Sequence, residues 1–308
     1  MKDSREKPDI TVKEHGMNAE PLSFRFRDQV WTLGKGPLIM GVLNVTPDSF
    51  SDGSDFLDTD AACAHARRMA EEGASIIDIG GESTRPGAKP VDVSTELERV
   101  VPVIRKTAGA TSVPLSIDTQ KSEVAEAALE AGASIVNDVS ALQQDPQMAE
   151  VIRHTGAGCI LMHMRGTPET MQKNVEYQDV VGEIKTYLSE ALQNALDGGI
   201  ERERIMLDPG IGFGKSVEHN LRLMWEIPAF RALARPVLIG PSRKSFIGKL
   251  SGVDDPQERV PGTSAAVTVC VLRGADVVRV HDVKELKQAV DVATGFFELS
   301  ACNPVSMC

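Results

Sequence analysis

Aromatic side chains are scarce, at 4% of 308 residues, too few to build the stacking platforms that hold single-stranded nucleic acid. Positive charge is also short. Lys and Arg number 33 against 44 Asp and Glu, and the net charge of -11 repels phosphate backbones. A general nucleic-acid binder is thereby excluded, while a local basic pocket for a small anion is not. No apolar run reaches the roughly 18 residues of a membrane span. The opening Met1–Glu20 is polar, carries acids and a proline, and lacks the apolar segment of a secretory signal. The five cysteines (Cys63, Cys159, Cys270, Cys302, Cys308) are odd in number, widely spaced and without a CxxC pair. That pattern argues against a disulfide framework and against a structural zinc site. What remains is the expectation of a soluble, cytoplasmic, metabolic protein, whose 42% apolar content suffices for a full core.

One phrase recurs along the chain. A helix-like stretch ends in Gly-Ala and an apolar strand follows at once: at Gly73-Ala74, Gly132-Ala133, Gly156-Ala157 and Gly274-Ala275. Glycine just past a helix supplies a left-handed cap, and the small residue after it lets the chain turn into a strand. Four more apolar runs, beginning near Leu38, Pro114, Arg204 and Pro236, share the period without the signature, which makes eight. Helical patterns such as TDAACAHARRMAEEG, KSEVAEAALEAG and VVGEIKTYLSEALQNALDGG lie between them. Eight buried strands, each followed by a helix, read as parallel βαβ units. A span of about 250 residues is usual for a closed barrel, and an open doubly wound sheet would want a GxGxxG after its first strand. The first strand here runs instead into NVTPDSFSDG. The expected fold is therefore an α/β (β/α)8 TIM barrel. An alternating segment, Phe24–Gly36, reads as an N-terminal hairpin plugging the barrel bottom. Residues 1–20 read as a disordered tail before a single barrel domain over 21–308. The loops Asn44–Asp58 and Glu82–Ser94 are long and polar, as functional lids are.

Barrel enzymes carry their chemistry at the C-terminal strand ends. Polar residues gather there in order: Asn44, Asp78 with Glu82, Asp118, Asn137 with Asp138, His163, Asp208, Ser242-Arg243-Lys244, and Arg279 with His281 and Asp282. A charge in an apolar strand costs several kcal/mol unless it is paired or functional. Any one of these could be an internal ion pair, but repetition at one end of the strands is not explained that way. Asp118, Asn137 and Asp208 form a hydrogen-bonding half that suits a flat heterocycle with several N–H donors. Lys244, Arg243, Arg279, His281 and Arg85 form a cationic half, and Ser242-Arg243-Lys244-Ser245 reads as a helix start favouring an anion. Together they suggest a nitrogen heterocycle bearing a phosphate ester or diphosphate. Met162 and Met164 read equally as core or pocket floor, and His219 as a helix cap. Gly210, Gly212 and Gly214 read as a tight turn, not a phosphate loop.

The motifs MGVLNVTPDSFSDG (Met40–Gly53), DIGGESTRPGA (Asp78–Ala88), SIDTQKSEVAEAAL (Ser116–Leu129), NDVSAL (Asn137–Leu142), LMHMRGTPETMQ (Leu161–Gln172), LDPGIGFGK (Leu207–Lys215), GPSRKSFIG (Gly240–Gly248) and RVHDV (Arg279–Val283) resemble those of the dihydropteroate synthases. They cover nearly the whole barrel. Pterin-binding methyltransferases share the barrel and part of the pterin pocket but not the two lid motifs together with SRKS. A non-catalytic paralogue would have lost lid or pocket residues, and none is missing here. The resemblance implies condensation of 7,8-dihydropterin-6-ylmethyl diphosphate with p-aminobenzoate. It implies that Asp118, Asn137 and Asp208 hold the pterin edge beside Lys244, and that Met162 and Phe213 line the pocket. Thr84, Arg279 and His281 would hold the diphosphate, and Asn44 would ligate a Mg²⁺. The lids would bring Phe50, Asp52, Arg85 and Pro86 over the reacting carbon, and Ser242 would receive the arylamine carboxylate. Of these, Asp118, Asp208, Lys244, Arg85 and Asp52 would carry the chemistry. It also implies small-molecule partners only and a homodimer, for which the apolar run Ala265–Leu272 is an interface candidate that a barrel-facing helix explains equally well.

Overall fold

A computed structural model describes residues 21–46, 59–85, 87–173 and 175–302. The expected tail over residues 1–20, and Phe50, Asp52 and Pro86 of the expected lids, lie outside the described residues. An antiparallel hairpin of β1 (Leu22–Phe26) and β2 (Gln29–Leu33) comes first. Eight strands follow: β3 (Leu38–Asn44), β4 (Ile76–Gly80), β5 (Leu115–Asp118), β6 (Ile135–Asp138), β7 (Gly158–Met162), β8 (Ile205–Asp208), β9 (Leu238–Ile239) and β10 (Val277–Val280). They pair in parallel in the order β8-β7-β6-β5-β4-β3-β10-β9. A parallel bridge between Leu207 and Val237, with the Leu207 N–H donating to the Pro236 carbonyl at 2.9 Å, brings β8 to the β9 side and closes the ring.

The helices are α1 (Thr59–Glu71), α2 (Val93–Ala108), α3 (Ser122–Ala131), α4 (Met148–Thr155) and α5 (Val180–Asp197) in the first half. The second half has α6 (Val217–Trp225), α7 (Ile227–Arg231), α8 (Ser245–Ser251), α9 (Val260–Leu272) and α10 (Val283–Cys302). The four Gly-Ala turns behave as the sequence predicts, with φ of +106° at Gly73, +122° at Gly132, +67° at Gly156 and +85° at Gly274. The chain therefore leaves each of those helices in a conformation that an L side chain rarely adopts. His219 does cap a helix: the Ser216 hydroxyl accepts from the His219 N–H at 3.2 Å, and the His219 ring accepts from the Ser216 N–H at 3.3 Å. The apolar run of α9 divides. Ala266, Val267, Cys270 and Val271 are buried against the barrel, whereas Leu272 is exposed.

The hairpin forms the floor. Phe24, Phe26 and Leu33 pack with Met40, Ile76, Ile135, Ile160, Met206, Leu238 and Val277, one residue from each barrel strand except β5. Phe26 meets Trp31 edge-on at 4.8 Å. Arg235 closes the rim, donating to the Ile205 carbonyl at 3.0 Å and to the Ser23 carbonyl at 2.6 Å. With this end filled by the hairpin, a cavity among the described residues opens at the opposite end, where the strands finish. No helix among the described residues is long and apolar enough to cross a membrane. Because Phe26 is fully buried in this plug, Phe26→Ala is expected to cost about 3–5 kcal/mol of unfolding free energy, measured by urea denaturation.

Candidate active site

The register of the parallel strands sets the site. Asp118 at the end of β5 lies beside Asn137 on β6, and Asp208 at the end of β8 lies beside Met162 on β7. A cavity at these strand ends is lined by Thr84, Asp118, Asn137, Val139, Met162, Asp208, Ile211, Phe213, Gly240, Lys244 and Arg279. Eight residues singled out from the sequence thus share one hollow: Thr84, Asp118, Asn137, Met162, Asp208, Phe213, Lys244 and Arg279. Met162 belongs to a small apolar cluster with Val139, Met171 and Phe213, so it is pocket floor rather than barrel core. Asn44, Arg85, Ser242 and His281 stand outside this lining.

Arg279 joins the two halves. Its Nε donates to Asp78 Oδ2 at 2.7 Å and its Nη2 to Asp118 Oδ2 at 2.9 Å. The Asn137 amide donates to the same Asp78 oxygen at 3.0 Å. Asp78 is fully buried, and its other oxygen, Oδ1, has no hydrogen-bond partner. Burial raises the Asp118 carboxyl while Arg279 opposes the rise, and Asp78 adds to it. Asp208 accepts from the Gly210 N–H at 2.7 Å, yet burial pushes it up to about 6, against the pull of that bond and of Lys244. The Lys244 ammonium sits 3.9 Å from the centre of the Phe213 ring, a cation–π arrangement. Burial and Arg279 push Lys244 down to about 8 despite Asp208 and Asp118. Its stem crosses Gly212 (φ +87°), where a Cβ would stand 2.8 Å from the Lys244 side chain. The Gly210–Gly214 turn is thus a close-approach turn, as its spacing suggests.

Several strand-end charges prove to be structural. Arg243, expected in the cationic half, places its guanidinium on Asp282 through two hydrogen bonds, one of 2.9 Å. Its backbone is left-handed at φ +58°, held by an N–H to Thr263 Oγ1 at 3.1 Å and by Arg259 donating to its carbonyl at 3.0 Å. His281 was also placed among the cations. Burial, with Arg279, Arg243 and Lys244 nearby, pushes it down to about 3, so the imidazole is neutral. Ser242 Oγ accepts from the His281 N–H at 3.2 Å and lies 3.0 Å from His281 Nδ1, which leaves its own proton for Nδ1. Asp138 accepts from the Ser140 hydroxyl at 2.7 Å and from the Ser140 and Leu142 N–H groups, each at 2.8 Å, and so shapes its own turn. Glu82 and Glu96 share the Lys121 ammonium, and Glu82 accepts from the Val91 N–H at 3.2 Å. That network anchors both ends of the second loop, on which Thr84 reaches the pocket and Arg85 is exposed.

A barrel with its polar residues gathered round a hollow at the strand tips has the architecture of the barrel enzymes, and residues 40–281 match the pterin binding enzyme family. The chain is 47% identical over 260 residues to a dihydropteroate synthase of Synechocystis sp., covering 84% of this chain and 90% of the relative. A dihydropteroate synthase of Xanthomonas albilineans solved with 4-aminobenzoic acid superposes with a TM-score of 0.84 at 43% identity, covering 90% of this chain and 98% of that one. The same organism's enzyme solved in complex with 7,8-dihydropteroate gives a TM-score of 0.80 at 40% identity, over 89% of this chain and 98% of that one. The chain belongs to the dihydropteroate synthase family.

The Arg243 turn yields a prediction independent of catalysis. Arg243→Ala removes the Asp282 pair and keeps a strained φ, so it is expected to lower stability by about 1–3 kcal/mol. Arg243→Gly accepts the left-handed backbone freely and is expected to lose less. Thermal and denaturant unfolding of the two variants measures the difference.

Proposed function

We propose that this chain condenses 7,8-dihydropterin-6-ylmethyl diphosphate with p-aminobenzoate, releasing pyrophosphate and forming 7,8-dihydropteroate, and that it does so in the cytoplasm. The observation that carries this reading is the hollow whose lining brings Asp118, Asn137 and Asp208 together with Lys244 and Arg279. Carboxylates and an amide match the N–H and C=O edge of a pterin, and the cations match its diphosphate. Met162 and Phe213 face the flat ring. Thr84, Arg279 and the Nε2–H of His281 take the phosphate oxygens, with Arg85, Phe50, Asp52 and Pro86 of the two loops covering the reacting methylene. The carboxylate of p-aminobenzoate is received at the turn of Ser242 and the start of α8.

In the reaction the methylene carbon loses its bond to the diphosphate oxygen, whose electron pair leaves with the pyrophosphate. The cation left on carbon is conjugated to the dihydropterin. Asp118 and Asp208 stabilise the charge spreading into the ring, and the arylamine nitrogen then bonds to the carbon and gives its proton to solvent. This dissociative order suits a weak nucleophile and a pocket that excludes water from the cation. Among the described residues no three His, Cys, Asp or Glu side chains cluster as a metal site, and Asn44 offers one hard oxygen at the end of β3. That donor set fits a Mg²⁺ held mainly by the diphosphate and water, with Asn44 as its protein ligand. When bound, the ion would neutralise charge on the leaving group. A homodimer belongs to the same reading and is supported by the exposed Val292, Phe296 and Leu299 on α10, next to α9.

Incubation with the pterin diphosphate, p-aminobenzoate and Mg²⁺ is expected to yield pyrophosphate and dihydropteroate in equal amounts. Absence of both products would reject the reading. Diphosphate oxygens should scramble between bridging and non-bridging positions when p-aminobenzoate is withheld, which a concerted displacement would not produce. Asp208→Asn is expected to lower kcat/KM by about 10²-fold or more. The pH profile of kcat/KM should be bell-shaped. Asp118 and Asp208 both act as carboxylates, so activity falls as pH drops through about 7 and then about 6. Lys244 acts as an ammonium, so activity falls as pH rises through about 8.

A further inference from the structure

Lys215 is buried, 4% exposed, immediately before the N-cap of α6, and no described carboxylate lies within ion-pair distance of it. Burial pushes its pKa well below the usual lysine value, Lys244 and Arg165 add to the fall, and Asp208 opposes it, so a cation held here costs stability that an apolar side chain would not. Its surroundings explain why it is there. The Lys215 ammonium donates to the Phe213 carbonyl at 2.8 Å, to His163 Nδ1 at 3.0 Å and, more weakly, to the His163 carbonyl at 3.4 Å. Three donors meet three acceptors. His163 is the residue that follows β7, and its ring stands edge-on to Tyr187 at 4.7 Å. Burial and Lys215 push that ring down to about 2, so it is neutral and its Nδ1 is free to accept. The His163 N–H in turn donates to the Asp208 carbonyl at 2.9 Å.

We propose that Lys215 is a positioning residue of the ring pocket: it ties the end of β7 to the loop after β8, fixing Phe213 beneath the heterocycle, and in its protonated form places a buried positive charge behind Asp208. The inference rests on the pterin reading given above. The sites it connects are those that face the ligand. Phe213 carries the Lys244 ammonium on its ring, and Asp208 accepts from the ligand. The neighbouring Gly212 and Gly214 carbonyls are taken by Gln172 at 3.1 Å and by the Tyr177 hydroxyl at 3.0 Å, neutral donors both. Lys215 alone among these three donors brings charge. The groups that act on Asp208 are then Lys244 from the loop after β9, Arg279 from β10, Lys215 from its own loop, and Asp118 across the pocket, with His163 neutral. Loss of Lys215 leaves Asp208 with one cation fewer and makes its carboxylate harder to ionise.

The test is binding of 7,8-dihydropterin to the full chain by isothermal titration calorimetry from acid to alkaline pH, with thermal unfolding alongside. Lys215→Met is expected to stay folded, because it exchanges a buried charge for an apolar chain of similar length. It should weaken binding about tenfold at neutral pH and move the acid limb of binding to higher pH. Lys215→Gln keeps a donor for the Phe213 carbonyl without the charge, so it should recover part of the affinity and leave the acid limb displaced. Should Lys215→Met fail to fold, Lys215→Gln carries both readouts. Wild-type affinity in the variants, or weaker binding with an unmoved acid limb, would overturn the proposal. Failure of the wild-type chain to bind 7,8-dihydropterin would instead reject the pterin reading, and the inference with it.

Discussion

The top of this barrel is organised around one guanidinium. Arg279 bonds to Asp78 and Asp118 at once, and so links the last strand to the second and third of the ring. Burial raises the Asp118 carboxyl, and the guanidinium placed between it and Asp78 opposes that rise. Asn137 joins the group through Asp78, so a donor on the heterocycle side and a cation on the anion side share one oxygen. The Oδ1 of Asp78 is buried without a hydrogen-bond partner, so this cluster carries a desolvation cost that the Arg279 pairing has to offset.

The overall charge and the local charge of the molecule have opposite signs. The chain carries a net charge of -11, yet the cavity is bordered by Lys244 and Arg279, with Lys215 buried behind it. An acidic exterior turns away polyanions, while a few desolvated cations in a narrow hollow retain strength for one small anion. A preference for a small anion over a polyanion follows from that division of charge.

Most of the fold was legible because it rests on local rules. Glycine at Gly73, Gly132, Gly156 and Gly274 marks helix ends by its backbone, and the apolar runs after them can only be strands. The alternation Phe24, Phe26 foretold a buried face, and the hairpin delivered it to the barrel floor. Strand-end position likewise pointed to Asp118, Asn137, Asp208, Lys244 and Arg279. It failed to separate ligand-facing charges from charges that hold loops, because the difference lies in partners far away in sequence. Arg243 is spent on Asp282, 39 positions on. Glu82 is spent on Lys121, 39 positions on as well. Asp78 was seen only as one tip among many, and its central place depends on Arg279, 201 positions away. Lys215 is not marked by its neighbours in sequence, because the glycines before it read as a turn and its acceptors on His163 lie 52 positions away. A lysine closing a run that continues straight from an apolar strand was the available signal.

The aromatic floor built by Phe24, Phe26 and Leu33 makes the chamber a blind well. Every molecule that goes in must come out by the same mouth. The departing anion therefore has to clear the entrance, or stay wedged beside the ring, before the finished product can follow. Traffic through a single doorway imposes an order on arrivals and departures that no individual side chain encodes.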